Sequence, residues 1–117
     1  MSRGRRGETL DLRTGTWYIS IVPIATFADA DTARIFAGER VRGVADGVVK
    51  RARRRMQQLD AATKLEDLAS PGADLKKLAG TKPPTWQMRV NDQYRIRFQV
   101  QRQSPFEVGA VWFGDPH

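Results

Sequence analysis

The sequence predicts an α+β fold in which helices near the N-terminus pack on one face of a small, mainly antiparallel, twisted sheet. Apolar residues recur at helical spacing within residues 41–62, and three segments of strand composition follow at 85–90, 93–101 and 105–113. This order leaves one face of the sheet for the helices and the other for solvent or a ligand. A chain of 117 residues supports one hydrophobic core and not two.

The first part of the chain is polar and basic. Residues 1 to about 15 have little to bury, so we expect a flexible lead, whereas "TWYISIV" (16–22) has strand composition. We therefore divide the chain into an N-terminal extension, residues 1–22, and a folded domain, residues 23–117. Two interpretations of the extension stay open: an extra strand at the edge of the sheet, and an upstream-extended start with Val22 as the alternative initiator.

Capping residues predict two short helices. Asp31 is the expected N-cap of a helix around residues 30–39. Thr63 and Glu66 have the spacing of a capping box, and Pro71 would end the helix that follows them.

The long helix is predicted over residues 41–62. Gly43 and Gly47 lower the helix propensity of its first two turns by up to about 1 kcal/mol each relative to alanine, so its C-terminal half should be the firmer one. The predicted apolar face consists of Val41, Val44, Ala45, Val48, Val49, Ala52, Met56 and Leu59. A basic loop at 73–84 then leads into the sheet.

Composition narrows the class of partner. The 20 Lys and Arg residues against 13 Asp and Glu residues give a net charge of +7, which favours an anionic partner such as nucleic acid, the ribosome, anionic lipid or an acidic protein. The chain has no cysteine and one histidine, His117, and its carboxylates lack the spacing of a metal-binding loop, so we expect neither a metal nor another cofactor. No segment has the length and apolarity of a membrane span, and a cytoplasmic location is the default.

Strand periodicity predicts a cationic surface. Three arginines have the parity opposite to the apolar residues of the same strands, and three lysines precede them in the basic loop. These residues are Arg89, Arg95, Arg97, Lys76, Lys77 and Lys82. Such a face would bind RNA, and it could also promote attack of the RNA 2′-OH on the neighbouring phosphate, with arginine stabilising the charge and lysine, His117 or water moving the proton. Binding without catalysis stays open as the alternative.

The run "KRARRR" (50–55) is the densest charge in the chain. It is either the solvated side of the long helix or a phosphate-contacting patch that includes Arg53 and Arg54.

Several segments together resemble the HigB-like toxins of bacterial toxin–antitoxin pairs, within the RelE/ParE superfamily. They are "ADTARIF" (30–36), "LDAATKLEDLASPGADLKKLAG" (59–80), "RVNDQYRIRF" (89–98) and the ending "GDPH" (114–117). The resemblance implies a compact RelE-like fold and a metal-independent mRNA interferase that acts in the ribosomal A site. It also implies a helix-turn-helix, HigA-like antitoxin, through which the pair binds operator DNA.

The family motifs also imply roles for particular residues. Arg95 matches the arginine expected to stabilise the scissile phosphate, Lys76 stands where many members have histidine, and His117 matches the terminal histidine. Two positions depart from the pattern: Ala79 stands where the loop lysine would be, and Pro116 replaces a tyrosine thought to stack on or orient a base.

These departures keep two other functions open. One is a ParE-like toxin that inhibits DNA gyrase through protein contacts without cleaving RNA. The other is a catalytically weakened toxin that mainly binds its antitoxin.

Overall fold

The computed structural model describes the backbone of residues 8–11 and 16–19 and the whole of residues 23–117. The elements in chain order are β1 (Glu8–Asp11), β2 (Thr16–Ile19), α1 (Ala30–Phe36), α2 (Asp46–Ala61), a 3₁₀ helix (Leu65–Leu68), β3 (Lys76–Lys77), β4 (Thr85–Arg89), β5 (Arg95–Gln103) and β6 (Phe106–Gly114). Two helices, α1 and α2, pack with a four-stranded antiparallel sheet in the order β3-β4-β5-β6, which confirms the predicted α+β class.

The N-terminal strands pair with each other. β1 and β2 form an antiparallel two-stranded sheet, so residues 8–11 are a strand where a flexible lead was expected. The strand predicted at 16–22 is present over 16–19, and the rest of that prediction lies outside the described residues. The outer edge of β6 is occupied instead by parallel bridges from Ile24 to Val108 and from Phe27 to Val111.

The N-cap of the first helix lies two residues earlier than predicted, and the helix spans Ala30–Phe36. Asp29, not Asp31, is the N-cap of α1, and its carboxylate accepts hydrogen bonds from the backbone N–H and the hydroxyl of Thr32, both at 2.7 Å. Asp31 lies in the first turn, where it forms an ion pair with Arg34 at 2.7 Å. Aspartate suits both the N-cap and the first turn of a helix. Asp29 is the N-cap because its carboxylate is the one that reaches the free N–H of Thr32.

The long helix begins at Asp46, not at residue 41. Gly43 has φ +85°, a left-handed backbone that is incompatible with a helix and that glycine adopts without steric cost. The firm half of the predicted face is confirmed, because the residues of α2 that are buried lie three and four positions apart: Val49, Ala52, Met56 and Leu59.

The connection from α2 to the sheet corrects two further predictions. Thr63 does not form a capping box with Glu66; instead the Asp67 carboxylate accepts from the backbone N–H of Thr63 at 2.9 Å and from its hydroxyl at 3.1 Å. The helix that follows is a single 3₁₀ turn. Within the predicted basic loop, Lys76 and Lys77 form the short edge strand β3, which pairs with β4.

The register of the sheet separates its two faces. Met88 lies opposite Ile96 and Trp86 opposite Phe98, and Phe113 of β6 extends the first of these pairs across the sheet. These apolar residues face the helices and, Trp86 excepted, are buried in the core. The alternate residues of the same strands therefore form the open face of the sheet.

Candidate functional site

The open face carries the predicted arginines in two neighbouring cross-strand rows. The first row consists of Lys76, Gln87, Arg97 and Trp112, one residue from each strand of the sheet. The second row consists of Arg89, Arg95 and Gly114. Paired residues of an antiparallel sheet project on the same side, so Lys76 and the three arginines share this face, as their parity predicted.

Arg97 is held in place by two neighbours on the open face. Its Nε donates a hydrogen bond of 3.0 Å to Oε1 of Gln87, and its guanidinium carbon lies 5.4 Å from the ring centroid of Trp112. Gln87 is only 5% exposed, so its amide is a fixed acceptor. Because an arginine carries five N–H groups, the hydrogen bond to Gln87 leaves other donors that can bind a phosphate.

Trp112 extends from the first row to the second. A Cβ added at Gly114 would overlap the indole ring, so the ring covers Gly114, which is the register partner of Arg95. Trp112 is half-buried, and an aromatic ring therefore lies on the open face between Arg97 and the Arg95 row. Trp112 was not among the residues predicted for the open face. Its position between the apolar residues Val111 and Phe113 of the same strand is the signal that indicates it.

Arg95 is anchored to the turn between β4 and β5. Its guanidinium donates to the backbone carbonyls of Asn91 and Tyr94, the latter at 3.0 Å. The Asn91 side chain in turn accepts from the backbone N–H groups of Gln93 and Tyr94 at 2.9 and 2.7 Å, which fixes the turn. Arg95 is thereby oriented by neutral carbonyls and keeps its charge available to a ligand.

Arg89 connects the open face to a second cationic surface. It forms an ion pair with Asp92 and is the register partner of Arg95. It also lines a groove of about 330 Å³ between α2 and the end of β4, which we call the arginine groove. The residues that line it are Arg51, Arg54, Arg55, Gln58, Gly72, Arg89 and Val90.

The structure divides the predicted helix arginines between two locations. Arg54 is exposed and lines the arginine groove together with Arg51 and Arg55, which belong to the same charged run at 50–55. Arg53 is half-buried, and its Nε donates a hydrogen bond of 2.9 Å to the backbone carbonyl of Ile35 in α1. Arg53 therefore joins the two helices and does not line the arginine groove.

The three predicted lysines are all exposed but do not form one cluster. Lys76 lies opposite Gln87 and shares the open face, whereas Lys77 lies opposite Trp86 and belongs to the other side of the sheet. Lys82 lies in the loop before β4. That loop is closed by Thr81, whose hydroxyl donates to the Leu78 carbonyl at 3.0 Å and accepts from the Thr85 N–H at 2.9 Å.

The C-terminal tail folds back toward the same end of the sheet. Asp115 accepts from the Gln93 amide at 3.1 Å and from the backbone N–H of His117 at 2.9 Å, and it lies 2.8 Å from Nδ1 of the His117 ring. The backbone and ring contacts with His117, followed by the Gln93 contact, hold the pKa of Asp115 below its ordinary value of 3.8. The contact with Asp115 uses Nδ1, so Nε2 is the ring nitrogen of His117 that could bind a ligand.

The residues that the structure describes show neither a candidate metal site nor a membrane-spanning helix. Residues 8–11, 16–19 and 23–117 contain no group of three or more histidine, cysteine, aspartate or glutamate side chains placed to hold a metal ion. Among the helices within those ranges, none is long and apolar enough to cross a membrane.

The chain matches a known protein family. A family model described as the RelE-like toxin of type II toxin–antitoxin system HigB matches residues 25–114, well over half of the chain. That range includes the open face and the arginine groove, and it ends before the Asp115–His117 tail. No curated protein matches the chain. The resemblance seen in the sequence is thus confirmed, and the chain belongs to the HigB-like family of RelE-like toxins, a membership that implies a toxin role and a protein antitoxin as partner.

Proposed function

We propose that this toxin is a ribosome-dependent endoribonuclease that inhibits translation in the cytoplasm by cleaving mRNA bound across the open face. The observation that carries the proposal is the pair of neighbouring rows in which Arg97, Trp112 and Arg95 lie side by side. Arginine offers planar, multiple donors to a phosphate, and an aromatic ring offers a stacking surface to a base. A face with both groups suits single-stranded RNA better than a flat protein contact.

The proposed reaction uses the RNA's own nucleophile. The 2′-OH attacks the adjacent phosphorus, the bond from phosphorus to the 5′-oxygen of the next nucleotide breaks, and a 2′,3′-cyclic phosphate forms. A base removes the proton from the 2′-OH, and an acid delivers a proton to the departing 5′-oxygen. Arg95 is proposed to stabilise the charge that develops on the non-bridging oxygens, with Arg97 beside it.

The strand order supports a division of the proton transfers. Lys76 lies on β3 and the tail that carries His117 follows β6, so the two residues flank the arginines from opposite edges of the sheet. In-line displacement places the attacking and leaving oxygens on opposite sides of phosphorus, which is the arrangement that two such groups can serve. Lys76 and His117 are accordingly proposed as the proton-transfer pair.

Trp112 is proposed to orient a base in place of the family's tail tyrosine, whose position is occupied by Pro116 in this chain. Pro116 stands at the family's tyrosine position and offers no aromatic ring, but the indole of Trp112 lies on the open face beside Arg97. The substitution in the tail is therefore compatible with nuclease activity, because the stacking surface is supplied by β6.

The arginine groove is proposed to bind further phosphates of the RNA, with Arg89 as the link to the open face. Arg54, Arg51 and Arg55 would contribute sequence-independent, salt-sensitive affinity, as phosphate contacts do. Lys77 and Lys82 are proposed only as peripheral RNA contacts, since one lies on the other side of the sheet and one in the preceding loop. Operator DNA is expected to bind through a helix-turn-helix, HigA-like antitoxin.

The test is to induce the full chain in a bacterial host without its antitoxin and to map mRNA 5′ ends. Codon-phased cuts are expected with the unchanged chain and with Arg42→Ala, an exposed arginine outside the sheet. Arg95→Ala should reduce the cutting by roughly 10²–10³-fold, the usual effect of losing one charge-stabilising donor.

Other outcomes identify other functions. Growth arrest without new 5′ ends would favour the ParE-like, gyrase-inhibiting function. A chain that causes neither arrest nor cutting would be a weakened toxin whose main role is to bind its antitoxin. Unreduced cutting by Arg95→Ala would show that the proposed mechanism is wrong.

A further inference from the structure

A second groove lies on the opposite side of the sheet from Arg89, Arg95 and Arg97. Its floor is formed by Trp86, Val100 and Phe106, and its wall by Leu65 of the 3₁₀ helix. The groove has a volume of about 370 Å³. Trp86 is the register partner of the buried Phe98, so this Trp86 groove opens on the helix side of the sheet.

The apolar floor is only partly covered by the fold. Phe106 is 4% exposed, but Trp86, Val100 and Leu65 are each half-buried and pack at the margin of the core. An apolar surface of this kind, bordered by polar groups, is typical of a site that accepts an apolar side chain from a partner.

The border of the Trp86 groove is basic. Lys64, Lys77 and Arg102 line it and are exposed, against a single lining carboxylate, that of Glu66. A partner segment that combines acidic residues with an apolar or aromatic anchor would complement both the border and the floor. The chain's own first 22 residues fit poorly, because they carry four arginines against one glutamate and one aspartate.

We infer that the Trp86 groove is a docking site for an acidic segment of the antitoxin. Family membership requires a protein antitoxin, and this groove offers an apolar floor and a positive border away from the open face. The inference goes beyond the proposed function, because docking here does not depend on RNA cleavage. If the RNA face is as proposed, the toxin could hold this segment and a short RNA at the same time.

The experiment measures affinity between the full-length toxin and the antitoxin encoded beside it, by isothermal titration. Arg95→Ala serves as the background so that the toxin can be produced. The test variant is Lys77→Glu with Arg102→Glu, and the matched control is Arg42→Glu with Lys50→Glu, which changes the net charge equally outside the groove. All four are exposed, so both variants should fold.

We expect the groove variant to weaken binding at least tenfold and the control to change it less than threefold. Hydrogen exchange on the complex should show slower exchange in the segments that line the groove, near residues 64–66 and 100–103. Equal weakening of antitoxin binding by both variants would show non-specific charge attraction and would overturn the inference. Unchanged antitoxin affinity in the groove variant, or slower hydrogen exchange only on the open face, would also overturn it.

A third variant separates the antitoxin from the chain's own extension. Removal of residues 1–22 should leave exchange at the groove unchanged in the free toxin. Faster exchange there, together with tighter antitoxin binding, would show that the extension is the occupant, and the inference would be wrong. None of these readouts uses nuclease activity, so failure of the proposed function would not be mistaken for failure of this one.

Discussion

The guanidinium of Arg97 lies over the indole of Trp112, 5.4 Å from the ring centroid, and that indole in turn covers Gly114. The absence of a side chain at Gly114 is what allows the ring to lie flat on the open face. A glycine at this position thus controls an aromatic surface two residues earlier in the same strand, beside the arginine that matches the family motif.

Gly114→Ala should displace the indole of Trp112, because the new methyl group would occupy the same space. If a base stacks on this ring, RNA affinity should fall by about 1–3 kcal/mol. Binding of a short RNA measured by fluorescence anisotropy tests this. Trp112→Phe is the control, since a smaller ring keeps part of the stacking surface. Equal affinity in Gly114→Ala and the unchanged chain would remove Trp112 from the RNA site.

Arg53 and Arg54 are adjacent in α2 but should behave differently. Arg53→Ala removes the hydrogen bond to the Ile35 carbonyl and should lower the free energy of unfolding by about 1–2 kcal/mol. Arg54→Ala should change the free energy of unfolding by less than about 0.5 kcal/mol. It should also reduce, by about one, the slope of log affinity against log salt concentration for binding to RNA or ribosomes.

Urea titration and a salt series on both variants provide the measurements. Each variant is the control for the other, because both lose one arginine from the same helix. If only Arg53→Ala reduced the salt slope, the phosphate contact would lie at Arg53, and the role proposed for Arg54 would be wrong.

Thr32 joins α1 to the end of β6. Its buried hydroxyl accepts a hydrogen bond of 3.0 Å from the Phe113 N–H and donates one of 2.7 Å to the Asp29 carboxylate. Thr32→Val keeps the shape but leaves the Phe113 N–H without a partner, so the free energy of unfolding should fall by about 1–3 kcal/mol. Thr32→Ser keeps the hydroxyl and should lose less. A urea titration in which serine is the more harmful substitution would contradict the hydrogen-bond argument.

The attachment of the C-terminal tail should depend on pH. The pKa of Asp115 is held below 3.8, chiefly by the backbone N–H of His117, so the folded tail favours the carboxylate. The stabilisation is therefore complete above the unfolded pKa of 3.8 and is lost as the pH falls through the lower folded pKa.

Titration of the Asp115 and His117 resonances by NMR measures this directly. Asp115→Asn should abolish the acid transition of the tail. The titration of Asp67, whose pKa is also lowered, chiefly by the Thr63 N–H, should be unchanged and serves as the internal control. If His117 moves a proton in the reaction, Asp115→Asn should also slow cleavage without unfolding the domain. A tail transition that persists in Asp115→Asn would mean that another group controls it.

Residue pattern alone predicted the α+β class, the strands that became β4, β5 and β6, and the side of the sheet on which Arg89, Arg95 and Arg97 lie. Strand alternation has a fixed period of two, so parity assigns faces without knowledge of the tertiary structure. The family resemblance was also readable in the sequence, and the family match over residues 25–114 confirmed it.

Residue pattern could not predict which side chains come into contact. The separation of Arg53 from Arg54 depends on the packing of α2 against α1, and the placement of Lys76 and Lys77 on opposite sides of β3 depends on its pairing with β4. The position of Trp112 beside Arg97 depends on the pairing of β5 with β6. The N-cap of α1 and the start of α2 also differ from the prediction, because the Asp29 carboxylate reaches the N–H of Thr32 and Gly43 has a left-handed backbone. Local propensity is a property of a few neighbouring residues, whereas a site is assembled by long-range packing that no short segment encodes.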